Sequence, residues 1–207
     1  MTTAIPDLSG LRFGAAFSVA PPALKIRYHV ENPTPHLVAL FSRVPVVQPD
    51  QSVRLPSEGS YIETSGDRLI VRKNIVPPPR GMQAAETPLP CVVRVEPNGK
   101  FAEEFDLTFP VQVHQPFLQA IIGRDHPGMD VLPVTPGLVS SVTFELGAIA
   151  VFGATKLFPV PGHAGVFRVT PPIPRPPARR DFTASAHLNQ PVPVLLYRAV
   201  ERSQRQD

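Results

Sequence analysis

At 207 residues, with 43% hydrophobic and 18% charged side chains, the chain is long enough to bury a core and too apolar for a disordered chain. Arginine supplies most of its formal charge of +3, scattered apart from Arg175–Arg180 and the last few residues, which speaks against the clustered basic stripe of a nucleic-acid binder. The one cysteine, Cys91, excludes an internal disulfide framework, and no apolar run reaches the roughly 20 residues of a membrane helix.

Proline is the outlier. The chain has 28, two to three times the usual share of about 5%. They are spread between apolar runs, which fits short strands separated by rigid turns. Long helices are disfavoured, since an interior proline costs a helix about 3 kcal/mol.

In chain order, Leu11–Val19 reads as a first strand, with Phe13, Ala15 and Phe17 in alternation and Pro21-Pro22 ending it. Leu24–Arg43 is the stretch around which the rest is expected to organise: two strands joined by a tight Asn-Pro-Thr-Pro corner. Ile26, Tyr28 and Val30 alternate with Arg27 and His29, whereas Leu37–Phe41 is continuously apolar, the pattern of a strand covered on both faces. Val44–Pro56 is expected to be irregular, with one short edge strand near Val53. Residues 60–63 and 68–75 flank Thr64-Ser65-Gly66-Asp67 as a hairpin, Leu69 and Val71 setting the alternation. Pro77-Pro78-Pro79 and residues 81–90 are read as a rigid bend and a loop.

Cys91–Glu96 and Phe101–Val113 flank Asn98-Gly99, the strongest hairpin or corner signal in the chain. Phe101, Phe105, Leu107 and Phe109 share a face, with Glu103, Asp106 and Thr108 placed between them or at the strand mouth. The thiol of Cys91, at the head of this apolar strand, is expected to be buried and inert. Phe117–Ile122 is ambiguous, and Arg124–Asp130 reads as a polar loop. Val139–Leu146, Gly165–Val169 and Val192–Tyr197 read as further strands, the last placed at an edge by Pro193. Glu201–Asp207 reads as a frayed tail.

Ten to twelve short strands at this spacing predict an all-β, mainly antiparallel sandwich. One extended domain over 1–207 is expected. The alternative is a sandwich over 11–118 with a second β lobe over 119–200 and a tail at 201–207. Tyr28-x-Val30-x-Asn32, Val95-x-Pro97-x-Gly99 and Phe105-x-Leu107 together resemble bacterial immunoglobulin-like domains. The layout is similar to intracellular proteinase inhibitors of the BsuPI type and to fibronectin-like modules, over about Leu24–Val113. The resemblance implies an immunoglobulin-like sandwich and does not by itself imply an activity.

Motifs for chemistry are sparse. No nucleophile elbow, S-x-x-K or glycine-rich phosphate loop is present, so no cofactor is expected. The six histidines show no metal-ligand spacing, and no metal is expected. The best local cluster is Asp125-His126 with Asp130, where a carboxylate beside an imidazole suits a small hydrolase or a metal-dependent enzyme, with His114 as a further member. Glu103 and Glu104 point to opposite faces if extended and form no dyad. The most distinctive tract, Pro174-Arg175-Pro176-Pro177-Ala178-Arg179, matches P-x-x-P-x-Arg. Pro174, Arg175, Pro177 and Arg179 are its candidate binding residues for an aromatic groove.

The expected function is therefore a non-catalytic protein-binding or interaction module, more a binder than an enzyme. The alternatives are a structural subunit of an assembly, or an enzyme using the 124–130 loop. The expected partner is another protein or a second copy, not nucleic acid or a membrane. With no basic segment leading into an apolar run at the N-terminus, the expected location is the cytoplasm.

Overall fold

A computed structural model describes residues 5–47, 52–78, 89–117, 129–170 and 173–201. The fold is all-β. Among the described residues there is no helix, hence none long and apolar enough to cross a membrane. The strands are β1 Arg12–Ala20, β2 Ala23–Glu31, β3 Val38–Arg43, β4 Val46–Val47, β5 Val53–Arg54, β6 Tyr61–Ser65, β7 Arg68–Lys73 and β8 Cys91–Val95. After them come β9 Lys100–Thr108, β10 Val111–Gln112, β11 Met129–Ala150, β12 Leu157–Pro159, β13 Val166–Val169 and β14 Arg179–Glu201.

They form two packed sheets and a small accessory pair. The smaller sheet has the order β1-β2-β9. The larger runs β10-β14-β11-β3-β8-β13-β12, with β7 beside β11 and β6 beside β7; β4 and β5 pair separately. Two pairings in the larger sheet are parallel, β7 with β11 and β10 with β14. The rest are antiparallel, so the larger sheet is mixed. Parallel neighbours need long crossovers, and β8, β9 and β10 lie in the connection between β7 and β11.

The organising element differs from the sequence expectation. Leu24–Arg43 is divided between the sheets, β2 in the smaller and β3 in the larger. The spine is β11, whose 22 residues pair along one side with β14. Along its other side it takes β7 at Ser141–Leu146 and β3 at Ala148–Ala150. The short strands read at 139–146 and 192–197 are parts of β11 and β14. Alternation alone did not extend them, because Pro133, Pro136 and Gly137 interrupt the pattern and a β-bulge absorbs the break near Ser140.

That break divides the ribbon. Ser141 pairs with His187 but Val139 with Val192, leaving Ser140 opposite residues 188–191. The tip of the β6–β7 hairpin is joined there. The amides of Ser140 and Ser141 donate to the Asp67 carbonyl, and the Ser140 hydroxyl donates to the Asp67 carboxylate at 2.5 Å. Gly66, at φ +62°, supplies the left-handed residue this two-residue loop requires.

The inner faces meet around aromatic rings. Tyr28 and Phe105 of the smaller sheet lie 5.0 and 6.1 Å from Phe144 of the larger, and Phe13 stacks on Phe182 at 5.0 Å. Val38, Ala39, Leu40 and Phe41 are all fully buried, as a continuously apolar strand requires. Val38 and Leu40 face the inter-sheet core, while Ala39 and Phe41 join a second cluster with Val92, Ile149 and Val169 on the outer side. Each buried valine, leucine, isoleucine or phenylalanine here contributes about 1.5–3 kcal/mol.

The two corners that carry the chain between sheets lie side by side. Pro97-Asn98 forms a turn closed by the Gly99 amide on the Glu96 carbonyl at 2.9 Å, with Asn98 at φ +58°. Proline followed by a positive-φ residue is the type II pattern, which splays strands instead of pairing them, so β8 and β9 part into different sheets. Asn32 fastens this corner to the Pro33–Pro35 corner. Its amide group donates to the carbonyls of His36, Val95 and Glu96 at 2.8, 3.1 and 3.0 Å, and its backbone N–H donates to Gly99.

Candidate functional site

An open groove of about 560 Å³ lies where the two sheets and the accessory pair meet. One wall is a continuous run, Asp106–His114, comprising the end of β9, the Phe109-Pro110 bend and β10. The other contains Val46 of β4, Arg54 of β5, Pro56, and Glu58–Ser60. Ile62 and His114 close one end through a reciprocal backbone bridge at 2.7 and 2.8 Å. Leu107, Val111, Val113 and Ile62 supply an apolar floor, while Arg54, Glu58, Asp106 and Gln112 supply charge and polarity at the rim.

Beyond the β4–β5 pair, this wall at Pro56–Ser60 has no ladder and is held from beneath. The Gly59 amide donates to the Pro56 carbonyl at 3.1 Å, and the Gly59 carbonyl accepts from Val44 at 3.3 Å. A β-carbon at 59 would run into the backbone carbonyl oxygens of Val44 and Pro56, so the turn requires glycine. The Ser57 carbonyl accepts a short hydrogen bond from the Lys73 ammonium. Lys73 is fully buried at the end of β7, and its other two donor bonds go to the Ser42 carbonyl at 3.0 Å and to Glu103 Oε2 at 2.9 Å.

Glu103 is the hub. Its Oε2 also accepts from the Tyr28 hydroxyl at 2.8 Å, and its Oε1 meets the Arg43 guanidinium at 2.5 Å. Lys73 Nζ sits 4.2 Å from the centre of the Phe105 ring. Burial lowers the Lys73 pKa to about 8, against the opposing pull of Glu103. For Tyr28, burial and the Glu103 charge raise the hydroxyl well above its ordinary range. A buried amine of depressed pKa has the electronic character of a nucleophile. Here it is sealed from solvent and all three ammonium protons have acceptors, so the cluster ties β2, β3, β7, β9 and the groove wall together.

A stability measurement checks this protonation chemistry. Between about pH 8 and 10 the folded chain gives up the Lys73 proton while the unfolded chain keeps it, so stability rises with pH across that window. Below about pH 8 both forms hold the proton and the contribution is flat. In urea unfolding, the wild type is expected to gain on Lys73→Met by up to about 1.4 kcal/mol per pH unit through the window. Parallel profiles would show that Lys73 titrates as it does in water.

Of the residues proposed from sequence, those of the proline tract fall elsewhere and His114 lies in the groove. Asp125 and His126 lie outside the described residues. In the proline tract, Pro174 is half-buried, and Arg175 and Pro177 are exposed. The tract turns at Pro176-Pro177, where the Ala178 amide donates to the Arg175 carbonyl at 3.0 Å. The Pro177 carbonyl accepts from Leu8, the Ala178 carbonyl from Ala150, and Arg179 is engaged by Asp181 and Asn74. None of the four lines the groove. His114 does, stacked on Tyr61 at 5.9 Å, whereas His29 stands on the outer face over Gly14. Cys91 is buried, and burial raises its thiol pKa. Glu104 points outward to Lys25 and Arg27 at 2.8 and 2.5 Å, opposite in direction to Glu103. Among the described residues, no group of three His, Cys, Asp or Glu side chains gathers to hold a metal.

The signal for the buried cluster was parity. Glu103 shares the odd positions of Phe101, Phe105 and Leu107, and Lys73 continues Leu69 and Val71. Read strictly, period two places both charges inward. Comparison with protein-family models, curated proteins and solved structures finds no match to this chain.

Proposed function

We propose that the chain is a non-catalytic protein-binding module and that the groove between Asp106–His114 and Arg54–Ser60 is its receptor surface. The observation carrying this is a ligand-sized concavity, apolar at its floor and polar at its rim, with one wall pinned by a buried ion cluster. A wall fixed before binding lowers the ordering cost of association. The immunoglobulin-like layout read over Leu24–Val113 belongs to the same proposal, since both groove walls come from that region.

The test is to pan a random linear peptide library displayed on phage against the wild-type protein, then measure the selected peptides against Thr108→Trp. Thr108 is exposed at the groove, so the indole fills space without disturbing the core. Affinity is expected to fall at least about tenfold, a loss of roughly 1.4 kcal/mol. Peptides that bind the variant unchanged, or a library yielding no binder, would count against the groove.

A second reading, a structural subunit of an assembly, is favoured by the outer part of the β11–β14 ribbon. Residues 129–133 pair with 197–201, and among the described residues no other strand joins them there. A two-stranded ribbon is marginal in water on its own, and these segments are rich in apolar residues. Light scattering on a size-exclusion peak is expected to give a discrete oligomer if this reading holds; a monomer at tens of micromolar removes it.

A further inference from the structure

The groove is bordered by backbone as well as side chains. β9 pairs through all nine residues with β2, and with no other strand among the described residues. In an antiparallel pair, every second residue turns its N–H and C=O away from the partner. At least one of Asp106, Leu107 and Thr108, all lining the groove, therefore presents both groups along the free edge. Outside the strand ladders, no described backbone hydrogen bond uses these three residues. Across the same groove stand Val46 and Arg54, from a two-stranded pair, β4–β5, that joins neither large sheet. The side chains of Arg54, Thr108 and Gln112 make no hydrogen bond or ion pair within the described chain. An unpaired edge with open polar groups beside it calls for an occupant that brings both donors and acceptors at strand spacing.

We propose that the groove takes an extended polypeptide segment of its partner by strand addition. The segment hydrogen-bonds along the free edge of β9 at Asp106–Thr108, with alternate side chains against the apolar floor and toward the Arg54 and Glu58 rim. A peptide strand meets this surface because it offers N–H and C=O groups along one edge at the period of β9 itself. A compact polar small molecule would satisfy the rim and leave the edge unpaired. The proposal rests on the groove being the binding surface and adds the chemistry of recognition.

The experiment uses the intact protein and the peptides selected on it. Each backbone amide of a groove-dependent peptide is N-methylated in turn, which removes one donor and crowds that edge. Strand addition predicts period two: methylation at every second residue weakens binding by about tenfold or more, and at the intervening residues by less than about twofold. Affinity that follows side-chain identity with no alternation overturns strand addition and leaves the groove as the surface. Binding indifferent to Thr108→Trp overturns the groove and strand addition together, as does a library that yields no binder. Thr108→Trp is checked by circular dichroism and thermal unfolding, and Gln112→Trp, also exposed on the groove wall, provides a second obstruction if the first unfolds the chain.

Discussion

Glu103→Ala is expected to lower stability by about 3–5 kcal/mol, because it leaves the fully buried Lys73 ammonium without its counter-charge. Tyr28 loses its acceptor and Arg43 its partner at the same time. Arg43 keeps part of its side chain at the surface and can hydrate; Lys73 cannot, since none of its surface is exposed. The damage therefore concentrates on Lys73 and on the Ser57 carbonyl it holds. The double replacement Lys73→Met with Glu103→Leu is expected to recover most of the loss, because exchanging a buried ion pair for apolar groups of similar size is often neutral. Urea unfolding of the wild type, Lys73→Met, Glu103→Leu and the double replacement closes a double-mutant cycle. A loss below about 1 kcal/mol for Glu103→Ala would mean that water reaches the cluster. If the cluster fixes the groove wall, amide exchange at Gly59 and Val44 should also quicken in Glu103→Ala beyond the change in global stability.

Asn32→Asp should be worse than Asn32→Ala, although aspartate is the closer match in shape. Alanine abandons the carbonyls of His36, Val95 and Glu96, at a cost of about 2–4 kcal/mol for groups that are partly sheltered from water. Aspartate turns an acceptor toward the same three oxygens, adding repulsion and a buried charge to the lost donors. The sign of the pH dependence follows. The folded state raises the pKa of this aspartate, so the penalty is full at neutral pH and shrinks as pH falls toward about 4, where the protonated acid can donate one bond. Thermal unfolding of the two variants at pH 7 and pH 4 measures the gap and its narrowing. Equal stability at pH 7 would show that the Asn32 amide is not the fastener of the two corners.

The corner chemistry was visible in the chain itself. Asn32 and Asn98 both sit next to proline between apolar runs, and such residues set their turns through local sterics and short-range hydrogen bonds. Gly66 in its hairpin and the doubly buried Val38–Phe41 run were legible for the same reason: backbone preference and side-chain period act within a few residues. The outward Glu104 and inward Glu103 were also implied by period two. What the alternation could not supply was a partner for that inward charge, because nothing near Glu103 in sequence announces the Lys73 that neutralises it.

An all-β chain, its proline-marked turns and most of its strand faces thus follow from local residue patterns. Tertiary structure decided which sheet each strand joined, that β11 and β14 run through their bulges as one long ribbon, and that β7 and β10 lie parallel to their partners. It also decided that Tyr28, Arg43, Lys73 and Glu103, up to 75 residues apart, close one cluster beneath a groove. The difference is one of range. Turn and strand preferences are paid within a few residues, whereas sheet order and the solvation of a buried charge depend on partners that only the folded chain brings together.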